Sequence, residues 1–547
     1  MNRFLLHGSD YSEKTDTNMF HGNTIIALLM LVVVALAACD GRKSDSGADD
    51  GEITFQTIGN TKPRNVIFIL TDDHRFDFMG FTGKVPWLRT PNMDRLAREG
   101  AWFRNAFVTT SLCSPSRASI LTGLFSHTHT VVDNSAPVPD DLVFFPQYLQ
   151  KAGYETAFFG KWHMGHDSDE PRPGFTHWES FRGQGVYYNP TLNINGQRTE
   201  YKDSTYITDL LTDHAIDWLG KHDMEKPFFV YLSHKAVHAE FYPAKRHMGK
   251  YENEELILPP SFNTSDVQVK GKRMTPSGKM EADSEKPWGG DDYYGKGRTP
   301  DWQKMQRESW HGVDYMYNGQ MNFEEFYRRY CETLLAVDES VGRVLEYLGN
   351  NGLLESTLIV YMGDNGFSFG EHGLIDKRHF YEESVKVPLL VRCPEIFAGN
   401  KVLEPMVQNI DIAPTILEVA GIAKPEHMHG RSLIPLLKGE EVQWRDRIFY
   451  EYYWEYDFPQ TPTMHGVRTD RYKLIRYHGV WDTNEFYDLQ ADPHEMNNLI
   501  GSPDHQEMVQ QLSSEIYDWL EDTDGMQIPL KRTVRKRGND HRNLGVY

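Results

Sequence analysis

Two short apolar runs, Asn65 to Leu70 (NVIFIL) and Leu358 to Met362 (LIVYM), show no alternation of polar positions. Each ends in a polar tip, Thr71-Asp72-Asp73 and Gly363-Asp364-Asn365 respectively. Strands buried on both faces of a parallel sheet read this way, because helices cover both sides. Open α/β sheets place active sites just beyond the carboxyl ends of such strands. Phe228 to Leu232 predicts a third strand, and Thr90 to Glu99 and Phe145 to Ala152 predict helices. In Phe323 to Leu348 the apolar positions Phe326, Tyr330, Leu334, Val337, Val341, Val344 and Leu348 recur every three or four residues, the period of an amphipathic helix facing a core. The alternation of strand and helix predicts an α/β fold.

The pattern changes past Ala420. Pro425 and Gly430 mark a linker, short aromatic strands start at Arg447 to Tyr453 and continue through Lys473 to Tyr477 and Glu485 to Asp488, and a helix is predicted from about Asp504 to Glu521. This predicts a small antiparallel sheet with one helix. Lys270 to Arg307 is rich in Gly, Lys and Asp, carries Trp288, Tyr293 and Tyr294, and reads as a long loop or insertion. The chain divides on these grounds into residues 1–38, a tether 39–61, a large domain 62–425, a smaller C-terminal α+β domain 440–528 and a basic tail 529–547.

Ile25 to Ala38 is an apolar run too short to span a bilayer as a helix. Its end, Leu36-Ala37-Ala38-Cys39, resembles a bacterial lipobox, which implies a cleaved signal peptide, lipidated Cys39 as the first mature residue and a place in the bacterial cell envelope, with the membrane touched through the lipid alone. An ordinary cleaved signal or a short membrane anchor fits the same length, and Met19 is an alternative start. Of the four cysteines, Cys331 and Cys393 sit in apolar surroundings and read as buried thiols, so no disulfide framework is expected. The net charge of −21 argues against a nucleic-acid surface. A local cationic pocket could still hold an anionic substrate.

Cys113-Ser114-Pro115-Ser116-Arg117, followed by Ala118-Ser119-Ile120-Leu121-Thr122-Gly123, is the least accidental stretch. At average residue frequencies a given cysteine acquires that Pro, Ser and Arg roughly once in several thousand cases. Asp72, Asp73, Asp364 and Asn365 offer hard oxygen donors from two strand tips, suited to a divalent cation such as Ca²⁺. Gly160-Lys161-Trp162-His163 follows an apolar strand and could pair a cation with a proton carrier. Ser233-His234-Lys235-Ala236-Val237-His238 follows another, and Asp376-Lys377-Arg378 lies beyond the second acidic tip.

Together these segments resemble the signatures of type I sulfatases, from roughly Lys62 to Leu520 and including Tyr487-Asp488-Leu489-Gln490-Ala491-Asp492-Pro493-His494-Glu495. The resemblance implies an alkaline-phosphatase-like α/β sandwich, with a large mixed sheet and a smaller C-terminal antiparallel-sheet domain. It implies that a maturation enzyme oxidises Cys113 to formylglycine, whose hydrate attacks sulfur, and that one Ca²⁺ is held by Asp72, Asp73, Asp364, Asn365 and the residue at 113. Arg117 would hold the hydrate and Lys161 and Lys377 would bind sulfate, while His238 protonates the departing alcohol and His163 assists sulfate release. Val237 and Glu240 stand where the family often has proline around that histidine, and His234 is a competing, structural histidine. His372, Arg378 and His379 are candidate substrate contacts. His129-Thr130-Val131-Val132-Asp133-Asn134 and Tyr187-Tyr188-Asn189-Pro190 look closest to glucosamine-6-sulfatase-like members. The implied substrate is a sulfated polysaccharide or oligosaccharide, algal (ulvan, for example), glycosaminoglycan or mucin. A phosphonate monoester or phosphodiester hydrolase of the same superfamily and an inactive surface glycan-binding protein are the alternatives.

Overall fold

The computed structural model describes residues 53–529 except 60, 166–167, 263–267, 270–271, 275–279, 283–298, 310, 314–321 and 479–481. The body begins at Phe55. The expected signal segment, Cys39, most of the tether, Trp288, Tyr293, Tyr294 and the tail from residue 530 lie outside the described residues.

Ten strands form the large sheet: β1 (Val66–Thr71), β2 (Ala101–Phe103), β3 (Glu155–Gly160), β4 (His177–Ser180), β5 (Thr191–Ile194), β6 (Gln197–Glu200), β7 (Phe228–Ser233), β8 (Leu358–Gly363), β9 (Leu389–Arg392) and β10 (Lys401–Leu403). Their order is β10-β2-β9-β8-β1-β7-β3-β4-β5-β6. The centre, β8-β1-β7-β3-β4, is parallel. Antiparallel pairs, β8 with β9 and β4 with β5, flank it, so the sheet is mixed. The apolar runs of β1, β7 and β8 are buried along their whole length, as strands covered on both faces must be.

Alternate residues of the strands enter one core. Ile67, Ile69, Phe159, Val230, Leu232, Ile359 and Tyr361 pack with Tyr330, Leu334, Val337, Val341 and Val344. Those last five belong to the predicted stripe, all seven positions of which are buried, on a helix that runs Phe323–Asn350. Its N-terminus is capped by the Asn322 side chain, which accepts from the Glu324 amide at 2.9 Å.

The second sheet is antiparallel and four-stranded: β11 (Arg447–Tyr452), β12 (Thr463–Thr469), β13 (Tyr472–His478) and β14 (Glu485–Asp488). The helix Gln506–Asp522 lies on it, burying Leu512, Ile516, Trp519 and Leu520 against Val467, Leu474 and Phe486. Strand β12 has no clear period-two signal, and Gly466 reads as a breaker. The glycine is there because the Phe380 ring packs on it: an added Cβ would lie 2.4 Å from that ring.

The described residues in and beside the insertion include regular elements. Gln268–Val269, Lys272–Met274 and Met280–Ala282 pair as short antiparallel strands, and Asp301–Glu308 is a helix. Its first amides, Asp301 and Trp302, donate to the Asp482 carboxylate at 2.8 and 2.9 Å. That cap comes from a residue distant in sequence, so the helix start has no local signal.

Glu451, at the junction between β11 and the turn Ser126–His129, is fully buried and accepts from the Ser126 amide, His127 Nδ1 (2.7 Å) and Tyr453 Oη (2.8 Å). Burial works against its charge, but His127 and these bonds bring its pKa down to about 2. His127, also opposed by burial, is raised by the same pair. A depressed carboxylate stabilises above its ordinary pKa of 4.5 and loses that contribution as pH falls towards 2. A raised histidine stabilises below its ordinary 6.5 and loses that contribution as pH rises through its folded value. The pair therefore contributes most between these limits. Thermal melts across pH should show Glu451→Gln losing the most stability inside that window and less on either side. An equal loss at every pH would refute the ion-pair account.

Candidate active site

Strands β8, β1, β7 and β3 are consecutive in the sheet and end level. Thr71 sits opposite Gly363, Leu70 opposite Ser233, and Ser233 opposite Gly160. The residues just past these ends, Asp364, Asp72, His234 and Lys161, therefore emerge side by side. Parallel strands are the cause, since only they put four carboxyl ends on one edge. Gly160 makes the close turn possible: it has φ +113, and a Cβ there would lie 1.9 Å from the Ser233 carbonyl oxygen.

Cys113 is the first residue of the helix Cys113–Thr122, all of whose residues are buried. The helix ends at Gly123 in the left-handed region, with its amide on the Ser119 carbonyl. This directs the Cys113 side chain into the row of strand tips. Its Sγ lies 3.4 Å from Asp72 Oδ1 and 3.3 Å from Lys377 Nζ. Burial, with Asp72 adding to it, pushes the thiol pKa up to about 12, so the unmodified thiol is protonated at neutral pH.

Arg117, one turn later, points back under the same row. Nε donates to Asp364 Oδ2 at 2.9 Å, Nη2 makes an ion-pair contact with the same oxygen at 2.8 Å, and Nη1 donates to the Lys161 carbonyl and to Ser233 Oγ, both at 2.7 Å. It joins the tips of β3, β7 and β8 and neutralises one carboxylate. Lys161 pairs with Asp72 and Lys377 with Asp73. Asp72, despite full burial, is held well below the usual carboxylate range by Lys161, His238 and Arg117. Asp73 goes the other way, to about 7: burial dominates, Lys377 opposes it, and the charges of Asp72 and Asp364 add to it.

Carboxylate oxygens of Asp72, Asp73 and Asp364 lie within 4.8 Å of one another, and so do donor atoms of Asp72, Cys113 and His238. Asn365 Nδ2 donates to Asp73 Oδ1 at 2.7 Å, leaving the buried Asn365 Oδ1 without a hydrogen-bond partner. Three converging carboxylates and an unpartnered amide oxygen form an all-oxygen donor set, which fits a hard divalent cation such as calcium.

Both predicted histidines face this cluster. His238 Nδ1 lies 2.5 Å from the Ala239 carbonyl, an acceptor only, so Nδ1 carries the proton and Nε2 is turned to the site, 3.9 Å from Asp73 Oδ2. Burial, then Lys377, pulls its pKa well down. His163 is buried with φ +53, and its Nδ1 has no hydrogen-bond partner. Burial, then Lys161, keeps it neutral. His234 turns away to the Ser340 hydroxyl at 3.0 Å, and burial pulls it to about 3.

The three candidate substrate contacts are all buried. Arg378 binds Glu455 at 2.7 Å and Asp376 at 2.9 Å, His379 meets the Ser368 hydroxyl at 3.1 Å, and the His372 ring stacks on Tyr381 with centroids 4.0 Å apart. These contacts fix the loop that carries Lys377. Three residues of the motif segments had no role assigned from sequence: Ser233, a partner of Arg117; Tyr187, whose hydroxyl donates to the His238 carbonyl at 2.7 Å; and Lys235, whose ammonium lies 4.8 Å from the centre of the Tyr187 ring. The only signal for Lys235 was its place just past a buried strand.

Two family models match the chain, "Sulfatase" over residues 64–422 and "N-sulphoglucosamine sulphohydrolase, C-terminal" over 370–522. An N-acetylglucosamine-6-O-sulfatase of Bacteroides thetaiotaomicron is 34% identical, with 95% of each chain covered. The N-acetylglucosamine-6-sulfatase of Homo sapiens is 29% identical over 81% of this chain and 82% of its own. A solved structure of a protein in complex with its substrate, D-glucosamine-2-N,6-O-disulfate, superposes with a TM-score of 0.72 at 33% identity, covering 85% of this chain and 99% of that one.

Proposed function

The chain belongs to the sulfatase family, with that family's alkaline-phosphatase-like fold and an activity on sulfated carbohydrates, and from that premise we propose that it hydrolyses the 6-O-sulfate ester of glucosamine units. The observation that carries this reading is the 34% identity to an N-acetylglucosamine-6-O-sulfatase across 95% of both chains. The named substrate of the superposed structure, a glucosamine sulfated at the 6 position, supports it too.

In this reading Cys113 is matured to formylglycine, and the bound groups supply two things: a geminal hydroxyl that attacks sulfur and a calcium ion that draws charge from the sulfate oxygens. The chain's own residues do the rest. Lys161 and Lys377 are fixed on Asp72 and Asp73 and present ammonium protons to sulfate. Arg117 ties Asp364, past β8, to the Lys161 carbonyl, past β3, and its Nη2 lies 3.6 Å from Asp72, so its charge offsets the repulsion between those two carboxylates. His238, with Nδ1 engaged, has only Nε2 to offer the departing sugar oxygen; burial and then Lys377 and Lys161 hold its pKa down, and the negative charge of bound sulfate would offset those lysines, so that Nε2 takes up the proton it then passes to the leaving oxygen. His163, with a free buried Nδ1, can take the proton that must leave before sulfate is released. The N-terminal pattern adds the proposal of a lipid-anchored envelope protein.

The test is inorganic sulfate release by protein matured in a formylglycine-competent host. N-acetylglucosamine-6-sulfate is expected to be turned over roughly 100-fold or more faster than 3-O-sulfated or galactose-6-sulfate analogues, a preference that polar contacts to one sugar can supply. Equal rates on all sugars would remove the glucosamine assignment. Faster cleavage of phosphonate monoesters than of any sulfate would replace the reaction itself.

A further inference from the structure

Arg117, Lys161 and Lys377 surround the three carboxylates, and a fourth cation, Lys235, lies on the same turn as His238. The first three are each paired: Arg117 with Asp364, Lys161 with Asp72 and Lys377 with Asp73. Lys235 is 5% exposed and, among the described residues, has no carboxylate within ion-pair distance; its ammonium rests on the face of the Tyr187 ring. A lone buried ammonium is costly unless something answers its charge. A tyrosine face offsets only part of that cost.

Its position shows what the missing partner is for. Lys235 and His238 form one tight turn past β7, closed by the His238 amide on the Lys235 carbonyl at 3.0 Å. Tyr187 holds both ends of that turn, by the hydroxyl bond to the His238 carbonyl and by the ring under the lysine. The charges that Lys235 feels are Lys161, Asp72, Asp73 and Cys113, which line the reaction centre.

We propose that Lys235 is a third substrate-binding lysine, whose ammonium engages the sulfate group of the bound ester. The inference rests on the sulfatase reading but concerns anion binding, so it can fail independently of the sugar assignment. Lys161 and Lys377 are each paired with a carboxylate; among the described residues Lys235 has no such pairing. Burial, with Lys161 adding to it, pulls the pKa of Lys235 down to about 7. An arriving anion restores its charge, so affinity for sulfate falls as pH rises past neutrality.

The experiment compares mature wild type, Lys235→Met and Lys235→Arg by calorimetric titration with inorganic sulfate, by kcat and KM on N-acetylglucosamine-6-sulfate, and by thermal melting. Lys235→Met is expected to bind sulfate roughly 10- to 100-fold more weakly, the worth of one charge-assisted hydrogen bond, and to raise KM by a similar factor. It should melt no lower than wild type, because a buried charge without a protein partner has been removed. Lys235→Arg should recover most of the affinity. Unchanged sulfate affinity in Lys235→Met overturns the proposal, as does a KM defect confined to substrates with a second anionic group. A lower melting point with unchanged kcat and KM overturns it too, since Lys235 would then serve the fold alone. If wild type releases no sulfate from any sugar ester, the sulfatase reading falls, and the calorimetric comparison still decides Lys235.

Discussion

Cys113→Ala should release no measurable sulfate, a loss of about 10⁵-fold or more, from a protein that remains folded. The side chain at 113 is the first of a fully buried helix and touches Asp72 and Lys377, at the point where the carboxylates, both pairing lysines and Arg117 meet. Around it the three carboxylates are engaged with cations, and Lys161 and Lys377 with carboxylates. The thiol itself is disabled, since burial pushes its pKa up to about 12, and a protonated thiol attacks poorly. Protein made in a host without the maturation enzyme should therefore be as inactive as the alanine variant. Alanine removes a single sulfur atom from the core, so a stability cost of about 1 kcal/mol is expected. Mass spectrometry of the Cys113 peptide alongside rate measurements checks this. An unmodified, fully active protein would refute the formylglycine reading.

The second large effect is at His238. His238→Ala should lower kcat on the sugar sulfate by about 10²–10⁴-fold, the usual worth of a general acid. On an aryl sulfate the loss should be far smaller, because a phenolate leaves without a proton while a sugar alkoxide does not. The geometry that supports this is narrow: Nδ1 is committed to the Ala239 carbonyl at 2.5 Å, so Nε2, 3.9 Å from Asp73, is the one nitrogen able to serve the site. Equal losses on both esters would assign His238 to sulfate binding instead. Rates on a series of phenyl sulfates of graded leaving-group acidity measure the difference directly.

The elements that position the site were readable because their cause is local. Both faces of β1, β7 and β8 are covered, so the sequence is apolar without interruption, and the polar residues that follow mark where cover ends. The stripe on the helix Phe323–Asn350 gave its buried face for the same reason. Three features lacked any such local sign. Strand β12 carries a glycine that serves the Phe380 ring; the helix Asp301–Glu308 is capped by Asp482, far along the chain; and the partners that bury the candidate substrate contacts His372, Arg378 and His379, namely Tyr381, Asp376, Glu455 and Ser368, come together only in the fold.

By itself the sequence determined the α/β class, the strand tips and the reactive residue types, through periodicity and through the short motif around Cys113, because these depend on near neighbours. The tertiary structure decided which charges answer one another. Asp72, Asp73 and Asp364 are alike in sequence, yet they have different cationic partners and shifts of opposite direction. Lys235, inconspicuous between two histidines, rests on the Tyr187 ring and, among the described residues, has no carboxylate within ion-pair distance. Charge pairing depends on distances of a few ångströms between segments up to about three hundred residues apart, and no local pattern encodes them.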